Sequence, residues 1–213
     1  MPLRVLVVPD KFKGTLAAPV VARAIARGWH AARPKDLLQL LPMSDGGDGF
    51  GEIISRLLNA RAQAVGTLDA AHRRIRARWW WARETHTAVI ESARVIGLAM
   101  LPRGKHHPFE MDTFGLGPVL QAAFGKQCSR CLVGIGGSAT NDGGFGMARA
   151  LGWIFLDQAG RPIERWTDLR SLARIVSPES RLFDSMRITV AWMSRTYCSG
   201  RRAPRAFTGR KRD

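Results

Sequence analysis

The chain has 213 residues, 46% of them hydrophobic, and a formal net charge of +16. That length and apolar fraction allow one large or two small packed domains and exclude a disordered polymer. No apolar run of about 18 residues occurs, and the run Val5 to Val8 is cut by Pro9 and Asp10, so neither a membrane span nor a signal peptide is read and a cytoplasmic location is expected. Arginine outnumbers lysine 27 to 6, a skew that GC-rich coding produces without any ligand, so the charge alone is weak ground for nucleic-acid binding. Cys128 and Cys131 make one C-x-x-C pair, and Cys198 stands apart. A single pair lacks the second half of a zinc site, and reduced, ordinary thiols are expected.

Leu3 to Val8 is a β-branched-rich run of the kind buried in a parallel sheet, and it ends in the loop Pro9-Asp10-Lys11-Phe12-Lys13-Gly14. Thr15 is placed to cap a helix carrying Val21, Ala24, Ile25, Gly28 and Trp29 on one face, which Pro34 ends. Leu37 to Leu41 predicts a second strand. The loop Pro42 to Gly49 follows, and then a helix whose Phe50, Ile53, Ile54, Leu57 and Leu58 recur at helical spacing. Two βα units are therefore read, each with acids and glycines in its loop.

From Ala62 to Ile90 the pattern becomes β-rich, with strands expected at Ala64-Val65, Ile75 to Trp81 and Thr87 to Ile90. Arg73, Arg74, Arg76, Arg78 and Arg83 interleave with Trp79, Trp80 and Trp81, a composition seen in stacking platforms for single-stranded nucleic acid. The favoured alternative is a hairpin with one solvated basic face and one apolar face. Glu91 to Leu101 reads as helical or irregular, and Thr113 to Phe124 as a helix.

Leu132 to Ala150 (LVGIGGSATNDGGFGMARA) predicts a strand, a polar glycine-rich loop and a helix. Glycines let backbone N–H groups approach an anion closely, which suits phosphate; a tight βα turn without a ligand is the alternative. The spacing is neither that of a P-loop nor that of a dinucleotide-binding fingerprint. Strands at Trp153 to Leu156 and Arg187 to Ala191 complete the ordered pattern.

Four segments, PDKFKGTLAA from Pro9, LLPMSDGGDG from Leu40, TFGLG from Thr113 and LVGIGGSATNDGG from Leu132, together resemble the glycerate kinase family that includes the bacterial glycerate 2-kinases. The resemblance implies an α/β fold of two domains, one discontinuous, with parallel or mixed sheets flanked by helices, here truncated to the N-terminal half. Residues 1–62 would be the N-terminal βαβα part and 63–191 an incomplete second α/β domain. It also implies ATP-dependent phosphorylation of glycerate with Mg²⁺, commonly at the 2-hydroxyl, with glycerate and ATP as partners and neither membrane nor nucleic acid expected. Lys11 stands where the family has serine, and Phe114 where it has tyrosine.

Phosphoryl transfer needs donors around phosphate, a metal, and a group that orients or deprotonates the attacking hydroxyl. Within the resemblance, Lys13 would meet a phosphate or the glycerate carboxylate as a point charge, and Asp45 and Asp48 would divide proton acceptance and Mg²⁺ binding between them. Asp10, Ser44, Gly46, Gly47, Gly136, Gly137, Ser138, Thr140 and Asn141 would bind substrate or phosphate, and Asp142 is a further metal candidate.

Beyond Ala191 the family continues with a segment resembling CDVxNPLxGxxGAxxxFGPQKG, whereas this chain reads WMSRTYCSGRRAPRAFTGRKRD. Back-translated with suitable codons and with two nucleotides dropped, that stretch can read DVENVLLGPKGASRFYGPQKG, similar to the family. Residues 192–213, a basic irregular tail, are therefore read as a frameshift product, and the truncated chain as impaired or inactive. A non-catalytic remnant and a nucleic-acid-binding protein are the alternative readings.

Overall fold

The computed structural model describes residues 1–12, 14–179 and 185–192. Strand β1 (Arg4–Val7) pairs in parallel with β2 (Leu37–Leu40), and α1 (Ala18–Ala32) connects them. Thr15 does not cap α1. The Thr15 hydroxyl donates to the Phe12 carbonyl at 3.0 Å, and Ala17 occupies the N-cap with Pro19 in the first turn, where a missing N–H costs nothing. Asp36 fastens the far end of the unit. Its carboxylate accepts from the Leu3 amide at 2.9 Å, the Trp29 indole at 3.0 Å and the Arg33 guanidinium at 2.6 Å.

Helix α2 (Phe50–Leu57) follows β2 and buries Phe50 and Ile53, while Leu57, expected on the same face, is exposed. Phe50 joins Trp80 and Val89 in a small core that Ile54, Leu58, Leu132 and Ala191 close. The helix lies so near the sheet that a Cβ on Gly51 would overlap the Trp80 ring. Glycine is the residue that fits there.

The main sheet has the order β3 (Arg61–Leu68), β4 (Arg74–Ala82), β5 (Thr87–Glu91), β6 (Arg130–Gly134) and β9 (Arg187–Ala191). The β3–β4 and β4–β5 pairs are antiparallel, and β5–β6 and β6–β9 are parallel, so the sheet is mixed, as expected. Every residue of β5 is buried, which is why its centre, Ala88 to Ile90, is a continuous apolar run instead of an alternating one. The switch to β-rich sequence corresponds to β3.

On one face of this sheet lies α4 (Leu116–Gly125), preceded by the short helix α3 (Ala93–Ile96). Trp79, Ile90, Val95, Val119, Leu120, Ala123 and Cys131 form the centre of the principal core. Helix α5 (Phe145–Ala150) follows β6, and β7 (Ile154–Asp157) pairs antiparallel with β8 (Leu172–Val176). Sequence reasoning missed β8, four of whose five residues are exposed and give no alternation of burial. Among the described residues no helix is long and apolar enough to cross a membrane.

The Arg/Trp segment is the hairpin β3–β4. Trp79 and Trp80 are buried on opposite faces of β4, and Trp81 packs on the principal core beneath the Lys126 ammonium, 5.2 Å from its ring centroid. Cys128 and Cys131 are buried free thiols; burial pushes Cys128 up and Cys131 to about 12.

Candidate active site

Three loops meet at the carboxyl ends of parallel strands, where α/β folds place ligands: the one after β1, the one after β2 and the one after β6. The Lys11 ammonium joins the first two, lying 3.2 Å from Asp45 Oδ1 and donating to the Asp48 carbonyl at 3.3 Å. Burial raises the Asp45 pKa, but the Gly47 N–H at 2.9 Å and the Lys11 charge outweigh it and hold the carboxyl below its ordinary value. Asp10 Oδ1 accepts from the Lys11 amide at 2.7 Å. Lys13 lies outside the described residues.

The second and third loops touch through backbone. Gly136 N–H donates to the Gly46 carbonyl at 2.9 Å, and a Cβ on Gly136 would lie 2.6 Å from Gly47 Cα, an approach only glycine allows. Ser44 Oγ accepts from Gly46 N–H at 3.3 Å and shapes the turn. Gly137 faces the Asp48 carboxylate, since a Cβ built on it would stand 3.7 Å from Oδ1.

The glycine-rich loop is more committed to the protein than its sequence suggested. Besides Gly136, Ala139 donates its amide to the Ile96 carbonyl at 2.8 Å and Thr140 to Ser138 Oγ at 3.2 Å, while the Ser138 and Thr140 hydroxyls pair at 2.9 Å. Asn141 is exposed. Asp142 is buried. Its Oδ2 accepts from Thr113 N–H (2.9 Å), Thr113 Oγ1 (2.7 Å) and Gly146 N–H (2.9 Å), and its Oδ1 from Gly144 N–H (3.4 Å). It ties the start of α5 to the segment before α4, and this hold on Thr113 explains why α4 begins at Leu116.

Two residues that sequence reasoning did not single out organise the loop before α2. Glu91, at the end of β5 and 2% exposed, accepts from Gly49 N–H at 3.1 Å and Gly51 N–H at 2.8 Å, so its charge caps the positive end of α2. Arg94 reaches Glu91 at 3.3 Å and Glu52 at 2.8 Å and stacks over Trp80. The available signal was an acid closing an otherwise apolar strand, TAVIE.

Asp10, Lys11, Asp48, Glu52 and Arg94 line one side of a cleft of about 340 Å³ whose other wall is the segment Gly14–Pro19 with Met43. Among the described residues no group of three His, Cys, Asp or Glu side chains converges as a ready metal cage. The arrangement sets Asp10, Asp48 and Glu52 with Lys11 and Arg94 along a cleft whose remaining lining is largely apolar, with the Lys11–Asp45 pair beside it. Such a site suits orienting a hydroxyl and handling an anion.

Comparison with known proteins bears on the family and the fold. A profile of the glycerate kinase family matches residues 5–202. The chain is 36% identical over 172 residues to a glycerate kinase of Halalkalibacterium halodurans, covering 80% of this chain and 45% of the relative. It is 32% identical over 161 residues to the glycerate 2-kinase of Escherichia coli, covering 76% and 42%. The solved structure of a candidate glycerate kinase 2 from Salmonella typhimurium superposes with a TM-score of 0.80 at 30% identity, covering 95% of this chain and 55% of that one. The chain thus spans about half the length of the relatives it matches. The family profile spans most of the chain, and the relatives and the solved structure agree with it: the chain belongs to the glycerate kinase family.

Proposed function

We propose that this site phosphorylates glycerate at the expense of ATP, giving 2-phosphoglycerate, and that the present chain does so poorly or not at all. The observation that carries the reading is the loop junction at Lys11, Asp45 and Asp48, beside a cleft large enough for a three-carbon acid. Asp48 is the carboxylate that meets the attacking hydroxyl. The hydroxyl oxygen bonds to the γ-phosphorus as the bond to the β-phosphate oxygen breaks, ADP leaves, and the hydroxyl proton passes to Asp48. Lys11 and Asp45 hold the Asp48 loop in position, and Lys13 supplies a cation to phosphate or to the glycerate carboxylate.

Mg²⁺ would offset phosphate charge during transfer. Asp142 is a poor ligand for it, since four donors already occupy its carboxylate. Asp10 fits better: it lines the cleft, and only its Oδ1 is hydrogen bonded among the described residues. One or two carboxylates with phosphate oxygens are an ordinary Mg²⁺ environment.

Impairment is supported by apolar surface that a larger fold would cover. Leu6, Leu37 and Leu40 of the two-stranded sheet and Ile188 and Val190 of β9 are exposed. The frameshift reading of residues 192–213 supplies a cause. The three tryptophans of the hairpin are engaged in packing, which counts against a stacking platform for nucleic acid.

The test is an ATP-dependent glycerate phosphorylation assay with product identified by NMR, run on this chain beside a frame-restored one. The expected result is 2-phosphoglycerate from the restored chain, lost with Asp48→Asn, and little from the present one. No turnover by the restored chain refutes the kinase reading; equal turnover by both refutes impairment.

A further inference from the structure

A second cleft, of about 500 Å³, opens on the other side of Asp48. It is lined by Asp48, Gly49, Arg76, Arg78, Glu91 and Arg94, with Ala93, Ala99 and Met100 completing the wall. Asp48, Gly49 and Arg94 belong to both clefts, so the two meet at the carboxylate assigned to the attacking hydroxyl.

Arg76 and Arg78 stand two positions apart on β4 and therefore share a face of the sheet. Both are exposed, and among the described residues neither has an ion pair or a hydrogen bond from its side chain. Arg94 is different: Glu91 and Glu52 hold it, and it lies over Trp80, so it is fixed in place at the junction. Two unpaired guanidinium groups beside a third, immobilised one make a concave surface with cationic charge to spare. Planar donors of this kind match phosphate oxygens, and in a recess they are screened less than on an open face.

Transfer between two substrates requires two subsites that meet where the phosphoryl group passes. The cleft beside Asp10 and Met43 sets Lys11 and Arg94 against Asp10, Asp48 and Glu52, so acids outnumber cations there, whereas the one beside Arg76 and Arg78 sets three arginines against Asp48 and Glu91. We infer that Arg76, Arg78 and Arg94 form the subsite for the polyphosphate of the nucleotide donor, whose terminal phosphate passes Asp48 toward Asp10, leaving the rest of the Asp10 cleft to glycerate. This inference rests on the kinase reading for the identity of the donor, while the anion site itself stands on the arginine geometry.

The experiment measures binding of ATP, tripolyphosphate, adenosine and glycerate by calorimetry to the full chain and to its Arg76→Ala/Arg78→Ala variant. Both side chains are exposed, so the variant is expected to keep the parental melting curve, and Arg76→Lys/Arg78→Lys tests whether charge without the planar fork suffices. Loss of two charge-assisted contacts should weaken ATP and tripolyphosphate by roughly 100-fold, with the lysine variant between, and leave glycerate unchanged. Unchanged tripolyphosphate affinity in the alanine variant, no tripolyphosphate binding to the parent, or loss of glycerate binding instead would overturn the subsite. The same substitutions in the frame-restored chain separate the two readings. Arginine-dependent tripolyphosphate binding without glycerate turnover keeps the subsite and refutes the kinase; turnover with an unaltered KM for ATP in the alanine variant keeps the kinase and refutes the subsite.

Discussion

Glu91→Ala is expected to destabilise the chain by removing the buried carboxylate that anchors the start of α2. Glu91 is 2% exposed and its carboxylate accepts from Gly49 N–H at 3.1 Å and Gly51 N–H at 2.8 Å, with Arg94 Nε at 3.3 Å. Hydrogen bonds to a charged group contribute about 1.5–3 kcal/mol each, so the two backbone bonds set a gross loss of about 3–6 kcal/mol. Arg94 is partly exposed and keeps Glu52, so water and that second acid recover part of it, leaving about 3–4 kcal/mol. Glu91→Gln keeps the shape and one acceptor but turns an amide N–H toward the other donor, and should cost about half as much. Urea denaturation followed by circular dichroism reads both changes. For a chain of this size the alanine variant should melt roughly 6–16 °C lower. An alanine variant within about 0.5 kcal/mol of the parent, or equal losses for alanine and glutamine, would show that the carboxylate does not anchor α2.

Other parts of the fold give independent tests. Gly51→Ala forces a methyl into the Trp80 ring and should cost about 1–3 kcal/mol or more; a melting temperature equal to the parent's would mean that α2 can move away from the sheet. The Arg33 guanidinium, the Leu3 amide and the Trp29 indole hold Asp36 below its ordinary pKa, so the carboxylate's contribution is present above about pH 3.9 and fades as pH falls through the folded value. The stability gap between the parent and Asp36→Asn should accordingly be widest near neutral pH and shrink in acid; a gap that stays constant down to pH ~2 refutes this. In a Cys198→Ser background, Cys128 and Cys131 should resist a thiol reagent at pH ~8 until urea unfolds the chain, because burial raises both thiols; rapid labelling in native buffer would contradict that packing.

Much of the architecture was legible because the elements near the site carry strong local patterns. Val5 to Val8, Leu37 to Leu41 and Thr87 to Ile90 are short apolar-rich runs, of which only the last is wholly buried, and Phe50, Ile53 and Ile54 repeat at helical spacing, so β1, β2, β5 and α2 came out within a residue or two. The failures fall where tertiary contacts decide. Thr15 had the chemistry of a cap but its hydroxyl turns to Phe12, and Thr113 had the position of a helix start but Asp142 claims it. Strand β8 has mostly exposed residues, so only its pairing with β7 reveals it.

At the site, residue type was more legible than role. Asp45 and Asp142 have the same side chain and both sit in glycine-rich loops, yet one is paired with a lysine at a cleft and the other is enclosed by four donors. What separates them is the number of backbone N–H groups that the fold aims at each carboxylate, a property of chain path that no local spacing encodes. Arg76 and Arg78 make the converse case: their alternation with Ala77 and Trp79 read as an ordinary solvated face, and on β4 alone it is one. They come to line a cleft with Asp48 only because Glu91 brings Gly49 and α2 across the sheet, carrying Asp48 to the same recess. The buried acid at the end of β5 is thus the residue through which the loop chemistry and the hairpin charge become one site, and loosening it should separate them together.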